Sequence, residues 1–152
     1  MAERLPIAPT QRDLDAITTA ELAAARTLRD ALRTLFAAAT SGRSLDGDAT
    51  AIVNRTIRAA PRWQELSVGA HPEAVTHTAA PPVTAALAAI AEHAVSILTG
   101  PDAESLRACA SPDCMLFYRQ DHPRRSSCSP HCSNRARAAR HYARRTGRPA
   151  PA

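Results

Sequence analysis

The stretch Cys109–Arg145, CASPDCMLFYRQDHPRRSSCSPHCSNRARAARHYARR, contains all four cysteines of the 152-residue chain. Cys109, Cys114, Cys128 and Cys132 are spaced C-x4-C-x13-C-x3-C, two short pairs separated by a loop. A tetrahedral zinc site asks for that arrangement. Each pair brings two thiolates onto one small ion, and the loop carries the second pair round to complete the shell. Apart from alanines and cysteines, the stretch offers Met115, Leu116, Phe117, Tyr118 and Tyr142 as apolar groups. That is too little for a core, and segments of this size fold around a metal or disulfides instead. A structural zinc supplies roughly 10–16 kcal/mol of apparent binding free energy that is also folding free energy. Four thiolates leave no coordination position for water, so the pattern predicts one structural Zn²⁺ and no zinc catalysis.

Disulfides and unrelated buried thiols are the competing readings. The opening MAERLPIAPTQRDLDAITTA has no apolar run and carries Glu3, Arg4, Arg12, Asp13 and Asp15. It therefore predicts no secretory signal, which weighs against disulfides. The paired spacing weighs against unrelated thiols. His122 and His131 are candidate substitute ligands, His131 being expected to point away from the ion because it lies between two cysteines.

The second cysteine pair also predicts a helix. Ser129 is suited to cap it and Pro130 to open it, so the helix runs from Cys128-Ser129-Pro130 to about Arg145, with Gly147 and Pro149 as its stop. Cys132 then falls in the first turn, where the helix dipole favours a thiolate. At 3.6 residues per turn, Arg137, Arg140, His141, Arg144 and Arg145 share one arc, while Ala136, Ala139, Tyr142 and Ala143 share the other. Arg135 is expected on the packing side with Tyr142 and Ala139, its guanidinium bridging to a carboxylate or to carbonyls of the cysteine loops, and Asn134 is expected to hydrogen-bond within the segment.

These residues resemble the CGNR zinc finger: a Cys pair, an aromatic-bearing stretch, paired arginines, a second Cys pair, then Gly-Asn-Arg entering a basic helix. Here the parts read Cys109/Cys114, Met115-Leu116-Phe117-Tyr118, Arg124-Arg125, Cys128/Cys132 and Ser133-Asn134-Arg135. Ser133 replaces the signature glycine, and Ser127 stands where a Trp is usual. In that family the finger follows an α+β domain described as a stress-induced transcription regulator, which the residues before Cys109 also resemble, although the usual Asp-Phe-Val-Asn-Thr opening is absent. The resemblance implies transcriptional regulation and DNA as partner.

Charge agrees. All 19 basic residues are Arg, a bias that fits a GC-rich bacterial genome. Residues 1–106 hold nine Arg against twelve Asp/Glu, a net −3, whereas residues 107–152 hold ten Arg against Asp113 and Asp121, a net +8. So lopsided a distribution suits an anionic polymer, with Arg124, Arg125 and Arg148 extending the helical patch.

Upstream, Met1–Asp15 reads as a lightly structured lead. Thr18-x-x-Glu21 is a capping box, with Ile17 and Leu22 placed as a staple. Leu22, Ala25, Leu28, Leu32, Leu35, Phe36 and Ala39 then form an apolar stripe ending at Ser41-Gly42. Asp46 or Asp48 caps a second helix to about Ala60, with Ile52, Val53 and Ile57 inward. Between Arg62 and Ala79 the alternation of Leu66 and Val68, the turn at Gly69–Pro72 and the extended Val75–Thr78 predict a β-hairpin, with Trp63 as a core plug. A third helix, Val83–Leu98, buries Val83, Leu87, Ile90, Ala91, Ala94 and Ile97. It is short and carries Glu92 and His93, so it is not expected to span a membrane. Gly100-Pro101 breaks it, and a short helix from Asp102 to Ala108 is expected to lead into the finger.

The expected fold is α+β, mainly α: a helical domain (1–106, hairpin about 62–79), a four-cysteine finger (107–148) and a tail (149–152). No phosphate loop, nucleophile elbow or His-Glu-x-x-His motif occurs, so an enzyme is not expected. The expected function is a cytoplasmic, DNA-binding transcription regulator with one structural zinc, acting as a possible homodimer or with a transcription-machinery partner. The alternative is a non-catalytic module whose finger docks a protein partner; RNA binding ranks third. Any small-molecule effector is left open.

Overall fold

The computed structural model describes residues 9–69 and 71–146. The fold is α+β and mainly helical. In chain order the elements are α1 (Gln11–Asp15), α2 (Thr19–Thr40), α3 (Gly47–Arg58), β1 (Arg62–Val68), β2 (Pro72–Thr78) and α4 (Pro82–Thr99), then β3 (Leu106–Ala108), β4 (Phe117–Arg119) and α5 (Pro130–Thr146). The chain forms two compact units. One comprises residues up to Leu35 with Ser44–Ser96; the other comprises Phe36–Arg43 with residues from Ile97 onward.

In the first unit, local signals place the helix starts. Glu21 accepts from the Thr18 amide at 2.8 Å while the Glu21 amide donates to Thr18 Oγ1 at 3.2 Å, the reciprocal pair of a capping box. The predicted staple adds little burial, since Ile17 and Leu22 are both exposed. Thr10 and Asp13 make the same box ahead of α1. Asp46 caps α3, accepting from Ala49 N at 2.8 Å. β1 and β2 pair antiparallel, from Arg62↔Thr78 to Val68↔Pro72 without a bulge.

The core of this unit is made largely of alanine. Leu28, Ala31, Ala49 and Val53 are buried on α2 and α3. In α4 the buried residues are Val83, Ala85, Ala86, Ala88, Ala89, Ala91 and Ala94, and Ala85 and Ala88 cluster with Ala60 against Ala80. Small side chains let backbones approach closely, so these positions, not the larger Ile90 that was expected inward, carry the contact; Ile90 is 39% exposed. α4 is long and apolar enough to cross a membrane by length and composition alone. Glu92 on it pairs with Arg62. Trp63 is not a core plug: it is 48% exposed on the hairpin, stacked on His77 at 6.1 Å, with its Nε1 donating to Glu65 at 2.7 Å.

In the second unit, α2 ends at Gly42 (φ +64°). Gly42 N donates to Ala39 O and Arg43 N to Ala38 O, the paired bonds of a Schellman cap. Ala38 is buried and Ala39 exposed, one position from the expected stripe. The short helix expected over Asp102–Ala108 is instead a single 3₁₀ turn, Ala103–Ser105, followed by β3, which pairs with β4. The β pairing wins because it carries Cys109 directly off a strand end, and Cys109 N continues the ladder by donating to Leu116 O at 3.0 Å. Phe36 packs its ring on Phe117 at 5.5 Å, so the aromatic expected in the first helical domain's stripe serves this unit.

Candidate metal centre and basic helix

Cys109 leaves β3, and the Cys109–Cys114 loop closes in a turn in which Cys114 N donates to Ser111 O. Asp113 takes φ 59°, the left-handed region that aspartate tolerates better than most residues. The second pair closes similarly. Cys132 N donates to Ser129 Oγ at 3.2 Å and Ser133 N to Ser129 O at 3.0 Å, so Ser129 caps α5 and Pro130 opens it. A backbone bond from Ala110 N to Ser126 O (2.9 Å) clips the two loops together.

All four Sγ atoms lie within 4.8 Å of one another. Cys114–Cys128 is 3.8 Å, Cys128–Cys132 is 3.6 Å and Cys132–Cys114 is 3.7 Å. A tetrahedron with Zn–S bonds of 2.3 Å has edges of about 3.8 Å. A disulfide needs sulfurs at about 2.05 Å, and all four cysteines are free. The donor set and its spacing therefore fit one structural Zn²⁺. Neither His122 nor His131 joins the cluster.

Hydrogen-bond donors surround the sulfurs. Cys128 N donates to Cys109 Sγ at 3.3 Å. The Ser129 hydroxyl, with Cys128 Sγ, brings Cys132 down to about 7, whereas burial pushes Cys128 up to about 12. Arg135 Nη2 lies 3.8 Å from Cys132 Sγ and its Nε donates to the buried Ser111 hydroxyl at 2.9 Å. Arg135 is exposed rather than on the packed face, and its partners are a hydroxyl and a sulfur, not the carboxylate or carbonyls expected. Ser133 stands in helical backbone, where glycine is not required. Asn134 is exposed and its side chain has no hydrogen-bond partner among the described residues.

The paired arginines diverge. Arg125, half buried, lies 4.9 Å over the Tyr118 ring. It donates from Nε to Ser127 O, from Nη1 to Asp121 Oδ2 and from Nη2 to Cys128 O. Its own carbonyl accepts from Tyr118 OH and Gln120 Nε2, both at 2.8 Å. Arg125, expected to extend the cationic patch, is thus engaged inside the finger, and its bond holds Asp121 below the usual carboxylate range. Arg124 is exposed. Ser127 is buried and its hydroxyl has no partner among the described residues. Sequence reasoning missed Ser111, Asp113 and Asp121; the Ser-Pro-Asp run between two ligands was the signal available for the first two.

On α5, Ala136 is buried and Ala139 and Ala143 are half buried, as expected, but Tyr142 is 65% exposed. Arg137, Arg140, His141, Arg144 and Arg145 are all exposed. Arg144 Nε reaches the Arg140 carbonyl at 3.4 Å, and none of the four arginines pairs with a carboxylate among the described residues. Arg148, Gly147 and Pro149 lie outside the described residues.

Comparison with known proteins agrees with this architecture. Residues 105–145 match the CGNR zinc finger family. Residues 2–101 match the family ABATE, described as putative stress-induced transcription regulator. Neither is a family of enzymes. No curated protein matches the chain. The ABATE match covers well over half of the chain, the finger match contains every cysteine of the cluster, and the chain belongs to the ABATE family, with a CGNR zinc finger following the ABATE region.

Proposed function

We propose that this protein regulates transcription in the cytoplasm by binding DNA through the exposed face of α5. The carrying observation is the set of exposed cations Arg137, Arg140, Arg144 and Arg145 on a helix whose first turn contains the ligand Cys132. Zinc held by Cys109, Cys114, Cys128 and Cys132 supplies folding energy and orientation, and no catalysis. Arg125 and Arg135 brace the metal loops, leaving Arg124, the α5 arginines and His141 to meet phosphates, with Arg148 as an extension. On this reading residues 1–106 are the regulatory part and 107–148 the DNA-binding part.

The test is a fluorescence-anisotropy titration of the full chain with duplex DNA across salt concentrations. With about four to six phosphates neutralised, log affinity falls against log salt with a slope of roughly −4 to −5. One such module buries about 600–1,000 Å², so sequence-specific control calls for a second finger or a partner. Arg140→Glu with Arg144→Glu removes binding while zinc content stays at one per chain. A salt-independent affinity, or unchanged binding by the double variant, overturns the reading. A second reading, a finger that docks a protein, is favoured by Met115, Leu116 and Tyr142, which are 67%, 61% and 65% exposed. Loss of a partner on Leu116→Asp, with DNA binding absent, would select it.

A further inference from the structure

We infer that the free edge of β2 is a self-association surface that pairs with β2 of a second copy of this chain. The hairpin is regular, seven residue pairs without a bulge. Both faces of its outer half are exposed, since Leu66, Ser67, Val68 and Pro72–Val75 are all exposed, Leu66 73% and Val68 88%. A two-stranded ribbon in this state is marginally stable in water, and a bulge-free edge is a template for another strand. Natural edges are blunted by charged side chains, by bulges or by proline; β2 has no bulge and carries only Pro72 at its end and the single carboxylate Glu73.

The charges select which edge and which register. A twofold antiparallel pairing over the full length of β1 centres on Glu65 and sets it against Glu65 of the partner copy, a like-charge pair that opposes association. The same operation on β2 centres on Val75, an apolar residue meeting itself, and sets Glu73 opposite His77 in both directions. Glu73 is exposed and has no ion partner among the described residues. His77 is held ready by Trp63 stacked on one side and by Glu65 Oε2 at 3.6 Å from its Nε2. In the resulting four-stranded sheet the cross-strand order on this face is Trp63, His77, then Glu73 and Ser67 of the second copy. This follows from the hairpin register and does not rest on the DNA-binding reading.

Sedimentation velocity on the full chain tests it, with helicity by circular dichroism as the folding control. The wild type is expected to show a concentration-dependent monomer–dimer equilibrium. Val75→Lys, which puts like charges at the twofold axis, leaves a monomer. Glu73→Lys weakens the dimer by about tenfold through its two symmetric pairs, and His77→Lys, opposite Glu73, tightens or preserves it. A wild type that stays monomeric throughout the concentration series overturns the inference. So does a dimer indifferent to both Val75→Lys and Glu73→Lys. Should Val75→Lys fail to fold, the opposed responses of Glu73→Lys and His77→Lys decide alone.

Discussion

The two units of this protein solve the same problem with opposite materials. The first packs alanines: Ala60, Ala85 and Ala88 are at most 1% exposed, and the gain comes from backbones brought close enough for many small contacts. The second has too few apolar residues for that, and gathers four sulfurs, a Phe36–Phe117 contact and an arginine lattice around a metal position. The difference is one of where free energy is concentrated. In the alanine unit it is spread over many weak contacts, none of which can be enlarged without displacing its neighbours. In the finger it is gathered at one ion, and the protein groups around it act by holding loop geometry.

Removing the metal is the largest break available in that contrast. Cys128→Ser, or treatment with chelator, should unfold the second unit's finger residues, since the zinc term is roughly 10–16 kcal/mol. The alanine unit should stay folded. Hydrogen exchange read by mass spectrometry should lose protection across Cys109–Arg145 and keep it in α3 and α4. Loss of protection throughout would mean that the two are not separable in energy.

Overpacking breaks the other side. Ala88 is fully buried, so Ala88→Leu should cost about 1–3 kcal/mol of the first unit's stability by strain, measured in urea, with no change in zinc content. A neutral result would show that the alanine contacts have slack.

Arg125→Ala sharpens the account of the finger. It deletes charged hydrogen bonds to two carbonyls and to Asp121, and should cost about 2 kcal/mol, discounted for partial exposure. Faster zinc transfer to a chromophoric chelator, with duplex binding retained by the zinc-loaded protein, is the expected pattern. Loss of DNA affinity at unchanged zinc retention would assign Arg125 to the nucleic acid instead.

The smallest effect concerns the cap of α2. The Thr18 amide and hydroxyl hold Glu21 below its usual value of 4.5. Because the folded pKa is depressed, this contribution is complete above about pH 4.5 and is lost as the pH falls through the lower folded value. Protection factors at residues 19–24, with each rate divided by the intrinsic rate at that pH, should therefore fall on acidification in the wild type and stay flat over the same range in Glu21→Gln.

What could be read along the chain was whatever depends on neighbours in sequence. The capping box at Thr18, the N-cap at Asp46, the glycine stop at Gly42, the hairpin alternation and the paired cysteine spacing each fix a local conformation or a ligand set within a few residues. The local chemistry suffices for those. Only the tertiary structure decided which side chains the elements bury. Trp63 reads as a core residue by size, yet its strand lies outside the alanine contacts and it stacks on His77 instead. Arg125 reads as a partner of Arg124, yet the folded loop places the Asp121 carboxylate and the Ser127 and Cys128 carbonyls within its reach. Phe36 belongs by periodicity to the first helical stripe, but Phe117, some eighty residues later, is its ring partner. Burial is set by distances between segments remote in sequence, and no period or spacing within one segment encodes them.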